Sequence, residues 1–209
     1  MISYILVHGL GQGPSSWEQV ITHISTQVKF HQPCLSTIVK EQTLTYDHLY
    51  HGFQEECNKL ESPLYLCGLS LGAVLALQYT LEHPQTVKNL ILIAPQYKMP
   101  TLLLQVQAML FRFLPGSVFQ TTGFSKQDMI TISTSIKHLD FTSHLHQITC
   151  PCHIICGQKD KANKKAAKQL ANLIPHATLT LVDGAGHEVN IDAPLQLANE
   201  IKTTWFSVP

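Results

Sequence analysis

Residues 64–79, LYLCGLSLGAVLALQY, place a single serine between two glycines within an apolar run. The start of the run is typical of a buried strand, and the residues after Ser70 fit a helix that Pro84 stops. A sharp turn from strand to helix strains its central residue and brings the flanking backbone close, so the residues two before and two after it must be small. Gly68 and Gly72 meet that requirement, and such a turn projects the Ser70 hydroxyl clear of the backbone.

The composition limits the class of protein. A chain of 209 residues is long enough for one substantial core and short for two, so we expect a single domain over residues 1–209. The 14 Lys and Arg residues balance 14 Asp and Glu residues. Nucleic-acid and membrane-surface partners usually require a basic patch, which this sequence lacks, so we expect neither.

Residues 2–7 form an apolar run with no basic segment before it, and the run stops at His8. It therefore predicts neither a signal peptide nor a membrane span. Six cysteines in such a chain do not indicate a disulfide framework, and a reduced, cytoplasmic location is expected. The cysteine-rich stretch 150–156, CPCHIIC, could suggest zinc, but its spacing matches no common zinc site, and we interpret it as a strand entering the core.

Short apolar runs alternate with helical patterns along most of the chain, which predicts an α/β fold with a mostly parallel sheet covered on both faces. The predicted strands are residues 2–7, 34–39 (CLSTIV), 64–68, 87–95, 152–157 and 177–182. Helices are predicted after a capping box formed by Ser15 and Glu18, at 45–60, after Ser70, at 163–174 with Asn163 as the N-cap, and after Pro194.

One segment interrupts this alternation. Between Pro95 and Cys150 no strand is evident, and the apolar run 101–115, TLLLQVQAMLFRFLP, is followed by a second predicted helix at about 125–138. We interpret residues 97–148 as an inserted helical cap that packs on the sheet and lines a cavity. Most of its apolar side chains are expected to be structural.

The loops after the strands offer partners for Ser70. A serine hydroxyl is a weak nucleophile that needs a general base within hydrogen-bond reach, itself oriented by a third group. His187 follows the sixth strand and Asp160 follows the fifth, so all three side chains are expected at one edge of the sheet. Asp183 is a weaker candidate for the acid because it lies only four residues before His187. Gln96, after the fourth strand, cannot serve as the acid.

Acyl transfer also requires hydrogen-bond donors for the oxyanion of a tetrahedral intermediate. The expected pair is the backbone N–H of Leu10, in the glycine-rich turn after the first strand, and that of Leu71, next to Ser70. We interpret His8 as a structural residue whose ring holds this turn by a hydrogen bond.

Four motifs together resemble the alpha/beta-hydrolase superfamily over nearly the whole chain: HGLGQG (8–13), GLSLG (68–72), GQKD (157–160) and GAGHEVNIDAP (184–194). The order of serine, aspartate and histidine is the one that family uses. The resemblance implies a compact fold of about six mostly parallel strands with helices on both faces and a cap after the fourth strand. Most members begin with an antiparallel hairpin, whereas here the first predicted strand starts at residue 2.

These observations predict a serine hydrolase that cleaves carboxylic esters with small or medium apolar acyl or aryl groups through an acyl-enzyme on Ser70. The same family also contains C–C bond hydrolases, lyases and thioesterases. Those activities usually need polar or cationic groups in the cap, for which Lys98, Arg112 and Lys126 are the candidates. A third alternative is a ligand-binding signalling protein on the same fold. No metal or organic cofactor is expected, and the oligomeric state is left open.

Overall fold

The computed structural model describes residues 2–24, 27–39, 43–99 and 123–206. Within these ranges, six strands form one parallel sheet in the spatial order β2, β1, β3, β4, β5, β6. The carboxyl ends of all six strands therefore meet at one edge, where ligands bind in open α/β sheets. The strands are β1 (Ser3–Val7), β2 (Phe30–His31), β3 (Leu64–Leu69), β4 (Val87–Ile93), β5 (Cys152–Gly157) and β6 (Thr178–Val182).

Helices connect the strands and cover both faces of the sheet. They are α1 (Glu18–Ile24), α2 (Tyr46–Asn58), α3 (Leu71–Glu82), α4 (Lys126–Ser135), α5 (Lys164–Leu173), α6 (Val189–Asp192) and α7 (Pro194–Phe206). The α/β fold with helices around a six-stranded parallel sheet is thus confirmed. In the described ranges, no helix combines the length and the apolar character needed to cross a bilayer.

Alternating side chains of the strands are buried in two separate cores, one on each face of the sheet. On β1, Ile5 and Val7 pack with α2, α3, α4 and α5, while Tyr4 and Leu6 pack on the opposite face with α1 and α7. Burial on both faces explains why the strands read as continuous apolar runs. The same burial on either side holds the strand ends, and the loops that follow them, in a fixed arrangement.

The predicted strand at 34–39 is wrong. The edge strand is instead the two-residue β2, which pairs Phe30 with Tyr4 of β1, and residues 35–37 form a turn. The apolar pattern of 34–39 has another cause: Leu35 is fully buried, and its N–H donates to His8 Nε2 at 3.1 Å. Burial against the core, without pairing in the sheet, gives this loop the composition of a strand.

The predicted capping box at Ser15 is also wrong. Residues Pro14–Trp17 form a 3₁₀ turn capped by Gly13, with no hydrogen bond from a capping side chain, and α1 begins at Glu18. Proline suits the first position of a helical turn, since its φ is already fixed near the helical value. Helix initiation here therefore depends on Pro14.

The second helix predicted in the interrupting segment is confirmed. Helix α4 starts from a capping box in which Ser125 Oγ accepts from the Asp128 N–H and the Asp128 carboxylate accepts from the Ser125 N–H. A 3₁₀ turn at Ile136–His138 continues it. The apolar run 101–115, with Arg112, lies outside the described residues, so the cap over residues 97–148 remains a prediction.

The two ends of this segment are joined beside β4. Met99 N–H donates to Leu139 O at 3.0 Å, and Phe141 N–H donates to Tyr97 O at 2.8 Å. Lys98 Nζ lies 3.0 Å from an Asp140 carboxylate oxygen, an exposed ion pair that contributes little to stability. The Lys98 side chain is therefore paired with Asp140, where the two ends of the segment meet.

The strand interpretation of the cysteine-rich stretch is confirmed, since residues 152–157 form β5. Cys152 and Cys156 point to one face of the sheet, and burial raises the pKa of both thiols, that of Cys156 to about 12. His153 alternates to the opposite side, where its ring nitrogens face Thr204 Oγ1 at 2.8 Å and Thr180 Oγ1 at 3.0 Å. This alternation prevents Cys152, His153 and Cys156 from sharing one ion.

The buried ring of His153 predicts a pH-dependent stability. Burial lowers its pKa below the usual 6.5, against the opposing effect of Glu200, so the unfolded chain binds the proton first. The free energy of unfolding should fall as the pH drops below about 6.5, by at most ~1.4 kcal/mol per pH unit from this group. Urea unfolding of His153→Gln between pH 7.5 and 5.5 should show a smaller decline than the wild type.

The matched control is His146→Gln, at an exposed position, which should decline with pH as the wild type does. An unchanged pH slope in His153→Gln would contradict the assignment.

Candidate active site

Ser70 occupies a strained turn between β3 and α3. Its φ of 54° and ψ of −111° lie in a region that side-chain-bearing residues rarely adopt. The turn is held by backbone hydrogen bonds: Ser70 N–H donates to Ile93 O at 2.9 Å, and the N–H groups of Ala73 and Val74 donate to Ser70 O. The predicted strand-turn-helix around the serine is therefore present.

The two flanking glycines are required by close approach of backbone. A methyl group on Gly68 would lie 2.2 Å from Gly72 O, and one on Gly72 would lie 2.3 Å from Val7 O. Both distances are far inside van der Waals contact, and the obstructing atoms are backbone atoms that cannot rotate away. The first turn of α3 can pack against the end of β3 only with glycine at position 68, and against the end of β1 only with glycine at position 72.

Gly72→Ala should lower the free energy of unfolding by about 1–3 kcal/mol, because the added methyl group overpacks the junction of β1 and α3. Urea unfolding measures the change. Gly13→Ala is the control: its backbone is extended, nothing lies within 4 Å of the added methyl group, and its stability should stay within about 0.5 kcal/mol of the wild type. Equal stability of Gly72→Ala and the wild type would show that the junction tolerates a side chain.

Ser70, His187 and Asp160 lie in one line of contacts. His187 Nε2 is 3.0 Å from Ser70 Oγ, and His187 Nδ1 is 2.9 Å from Asp160 Oδ2. The His187 side chain is 43% exposed, whereas that of Asp160 is 3% exposed. The serine end of the line is thus open to a substrate, while the aspartate end is enclosed in the protein.

The proton positions in this line follow from the acceptors. An ionised carboxylate only accepts, so His187 Nδ1 carries a hydrogen that it donates to Asp160. The other ring nitrogen, Nε2, then has a free lone pair that accepts the Ser70 hydroxyl hydrogen. The arrangement can draw a proton from Ser70 and store it on the imidazole.

Asp160 is held as a carboxylate by several donors. Burial opposes its ionisation, but hydrogen bonds from His187 and Asn163 outweigh burial and lower the pKa of the carboxyl group. Oδ1 also accepts the backbone N–H groups of Ala162 and Asn163, each at 3.1 Å. Asp183, the weaker candidate, is exposed and accepts from the neighbouring Gly184 N–H at 3.1 Å.

The glycine-rich turn after β1 lies directly beside Ser70. A methyl group on Gly9 would be 3.5 Å from Ser70 Cβ, so the backbone at Leu10 borders the same space. Leu71 is the first residue of α3, and the first N–H groups of a helix have no acceptor within it. The two amides that the sequence points to therefore belong to segments that flank the serine.

His8 holds this turn from within the protein. Its ring is fully buried, with Nδ1 2.8 Å from Gly9 O and Nε2 accepting from the Leu35 N–H. Burial lowers its pKa, although the bond to Gly9 acts in the opposite direction. A neutral ring with the hydrogen on Nδ1 satisfies both contacts.

Two sets of polar contacts near the site were not predicted from the sequence. Gln12 Nε2 donates to Glu188 Oε1 at 2.8 Å and contacts Asn190, which links the turn after β1 to the loop of His187. On the other side, Asn163 contacts both Asp160 and His187. Asn163 precedes α5 as expected, but its side chain makes no capping bond. Its place three residues after Asp160 is the only signal the sequence carries.

Comparison with known proteins identifies the family of the chain. The family model described as "Alpha/beta hydrolase family" matches residues 4–200. The chain belongs to the alpha/beta hydrolase family.

Individual members of the alpha/beta hydrolase family are distant in sequence. A pimeloyl-[acyl-carrier protein] methyl ester esterase of Nitrosomonas europaea is 23% identical, over 93% of this chain and 92% of the relative. Among solved structures, a thermophilic esterase from Thermogutta terrifontis is 18% identical with a TM-score of 0.81, covering 97% of this chain and 89% of its own. MenH from S. aureus is 16% identical with a TM-score of 0.80, covering 98% and 92%. The two structures share the fold.

Proposed function

We propose that this protein is a serine hydrolase that cleaves carboxylic esters through an acyl-enzyme on Ser70. The observation that carries the proposal is the unbroken line from Ser70 Oγ through the His187 imidazole to the buried Asp160 carboxylate. A line of this kind supplies the three functions that serine acyl transfer needs: a nucleophile, a base that becomes an acid, and a group that orients the base.

The reaction proceeds in two halves. Ser70 Oγ attacks the ester carbonyl carbon while its proton passes to His187 Nε2, and the imidazolium is stabilised by Asp160. The tetrahedral intermediate collapses, the ester C–O bond breaks, and the leaving alkoxide takes the proton from Nε2. Water then attacks the acyl group on Ser70 with His187 again as the base, which releases the carboxylic acid and restores the serine.

Charge that develops on the carbonyl oxygen requires preorganised donors. We assign this role to the backbone N–H groups of Leu10 and Leu71, whose segments flank Ser70. The N-terminus of α3 adds a favourable dipole at the same point. One such donor is typically worth about a hundredfold to a thousandfold in rate.

The comparisons support ester chemistry more specifically. One relative is named a methyl ester esterase and one structural neighbour an esterase, although both are distant. For the substrate we propose small or medium apolar acyl or aryl esters, in keeping with the apolar composition of residues 101–115 in the proposed cap. No cofactor is required, because the side chains and amides named above complete the reaction.

Variants of the site should separate the two candidate acids. With p-nitrophenyl esters of short and medium acyl chains as substrates, Ser70→Ala should abolish turnover. Asp160→Asn should lower kcat by about 10⁴-fold, because an amide that donates to His187 Nδ1 favours the tautomer with hydrogen on Nε2, which cannot act as a base. Asp183→Asn is the matched control and should retain wild-type kcat, since Asp183 contacts its own loop.

Retained turnover in Ser70→Ala would refute the acyl-enzyme. A larger loss in Asp183→Asn than in Asp160→Asn would transfer the role of the acid to Asp183. An inactive wild type with every ester would refute the proposed substrate class and favour another reaction of the same family.

A further inference from the structure

Asn163 is a buried amide at the enclosed end of the proposed catalytic line, and at 8% exposure it has little contact with solvent. Its Nδ2 donates to Asp160 Oδ2 at 2.8 Å and to Asp160 Oδ1 at 3.1 Å. The same nitrogen lies 3.0 Å from His187 Nδ1. Asn163 Nδ2, Asp160 Oδ2 and His187 Nδ1 thus form a closed triangle with sides of 2.8, 2.9 and 3.0 Å.

The orientation of the Asn163 amide is set from its other side. Gln96 Nε2 donates to Asn163 Oδ1 at 2.8 Å and also faces Ala162 O at 3.5 Å, a carbonyl that can only accept. The Gln96 NH₂ group therefore faces the Asn163 oxygen, which leaves the Asn163 NH₂ group facing Asp160. Gln96 follows β4, so a neighbouring strand end reaches Asp160 through this amide. Gln96 cannot serve as the acid because its side chain is an amide, but only the Asn163 side chain separates it from Asp160.

Within this triangle, Asp160 and the Asn163 NH₂ group favour opposite tautomers of His187. Asp160 favours the tautomer with hydrogen on Nδ1, which leaves Nε2 free to accept from Ser70. A donor NH₂ beside Nδ1 could stabilise the opposite tautomer, in which Nε2 carries the hydrogen and cannot act as a base. Asn163 Nδ2 lies 3.1 Å from Asp160 Oδ1 and 2.8 Å from Oδ2. An ionised acceptor binds a donor about twice as strongly as a neutral one, so the amide favours the carboxylate over His187 Nδ1.

A reversed Asn163 amide would undo this arrangement. Its oxygen would face the Asp160 carboxylate at hydrogen-bond distance, which is repulsive, and would also offer His187 Nδ1–H a second acceptor. The imidazole could then turn from Asp160 and lose its alignment with Ser70. The direction of the Gln96 to Asn163 hydrogen bond opposes that reversal.

We propose that Asn163 and Gln96 are positioning residues: Asn163 clamps both oxygens of Asp160 in line with His187 Nδ1, and Gln96 acts only by fixing the Asn163 amide. This inference rests on the proposed function for its kinetic consequences. The alignment of Asp160 with His187 Nδ1 is a property of the free protein and can be measured without any substrate.

Kinetics test the clamp with p-nitrophenyl butyrate. Asn163→Ala should lower kcat by about tenfold to a hundredfold, with KM within about twofold of the wild type, because binding of the ester does not involve this amide. Gln96→Leu, which leaves the amide in place, should cause a smaller loss of about threefold to tenfold. Lys164→Ala is the control: its Nζ donates to Gln158 O, and its backbone N–H, which donates to Asp160 O at 3.1 Å, is kept in alanine, so its kcat should be unchanged.

The double variant tests whether Gln96 acts through Asn163. If it does, adding Gln96→Leu to Asn163→Ala should cause no further loss, so the effects of the two substitutions are not multiplicative. Multiplicative losses would overturn the assignment of Gln96, and wild-type kcat in Asn163→Ala would overturn the clamp. A loss confined to KM would show a role in substrate binding instead of positioning.

Nuclear magnetic resonance of the unliganded protein provides the readout that is independent of turnover. In ¹⁵N-histidine-labelled wild type, His187 should appear as the Nδ1–H tautomer with a low-field proton resonance. In Asn163→Ala this resonance should move upfield and exchange faster with water, whereas in Lys164→Ala it should be unchanged. An unaltered resonance in Asn163→Ala refutes the clamp, whether or not the wild type cleaves esters. An altered resonance supports the clamp even when the wild type cleaves no ester, and that lack of turnover refutes only the proposed substrate class.

Discussion

The site depends on how closely α3 approaches the end of β1. Methyl groups on Gly68 and Gly72 would lie little more than 2 Å from backbone atoms, so the chain closes this junction only without side chains. The tight closure leaves Ser70 at a φ of 54°, directly at the start of the helix and beside the turn at Gly9. This close backbone approach thus brings together three features: the strained serine, the N-terminus of α3 and a second segment with backbone amides.

The parallel sheet extends this local constraint to distant parts of the chain. Ser70, Asp160 and His187 follow β3, β5 and β6, and these strands end at the same edge with buried apolar side chains on both faces. Two cores therefore hold the loops at fixed separations, and contacts of 2.9 and 3.0 Å arise between residues 27 and 117 positions apart. Rigid strands supply the preorganisation that the proposed acyl transfer needs.

How much could be predicted from the sequence depended on the kind of interaction involved. Glycine spacing predicted the turn at Ser70, and the order of the strands predicted the loops that hold Asp160 and His187. Both kinds of pattern are local properties of the sequence. The prediction of a strand at 34–39 was wrong for a physical reason. Leu35 is buried in a loop and donates its N–H to His8, and such burial produces the same apolar pattern as pairing in a sheet. The hydrogen bonds of the Asn163 side chain to Asp160 could not be predicted from the sequence, because an asparagine directly before a helix is also the residue expected at an N-cap.

Covalent labelling would show whether Ser70 is an activated nucleophile. An alkyl fluorophosphonate reacts with a serine whose proton is taken by a neighbouring base, and tandem mass spectrometry identifies the modified peptide. We expect one phosphonyl group per chain, on Ser70, and no reaction in His187→Gln. A folded wild-type protein that remains unlabelled, or that carries the group on another residue, would contradict this expectation.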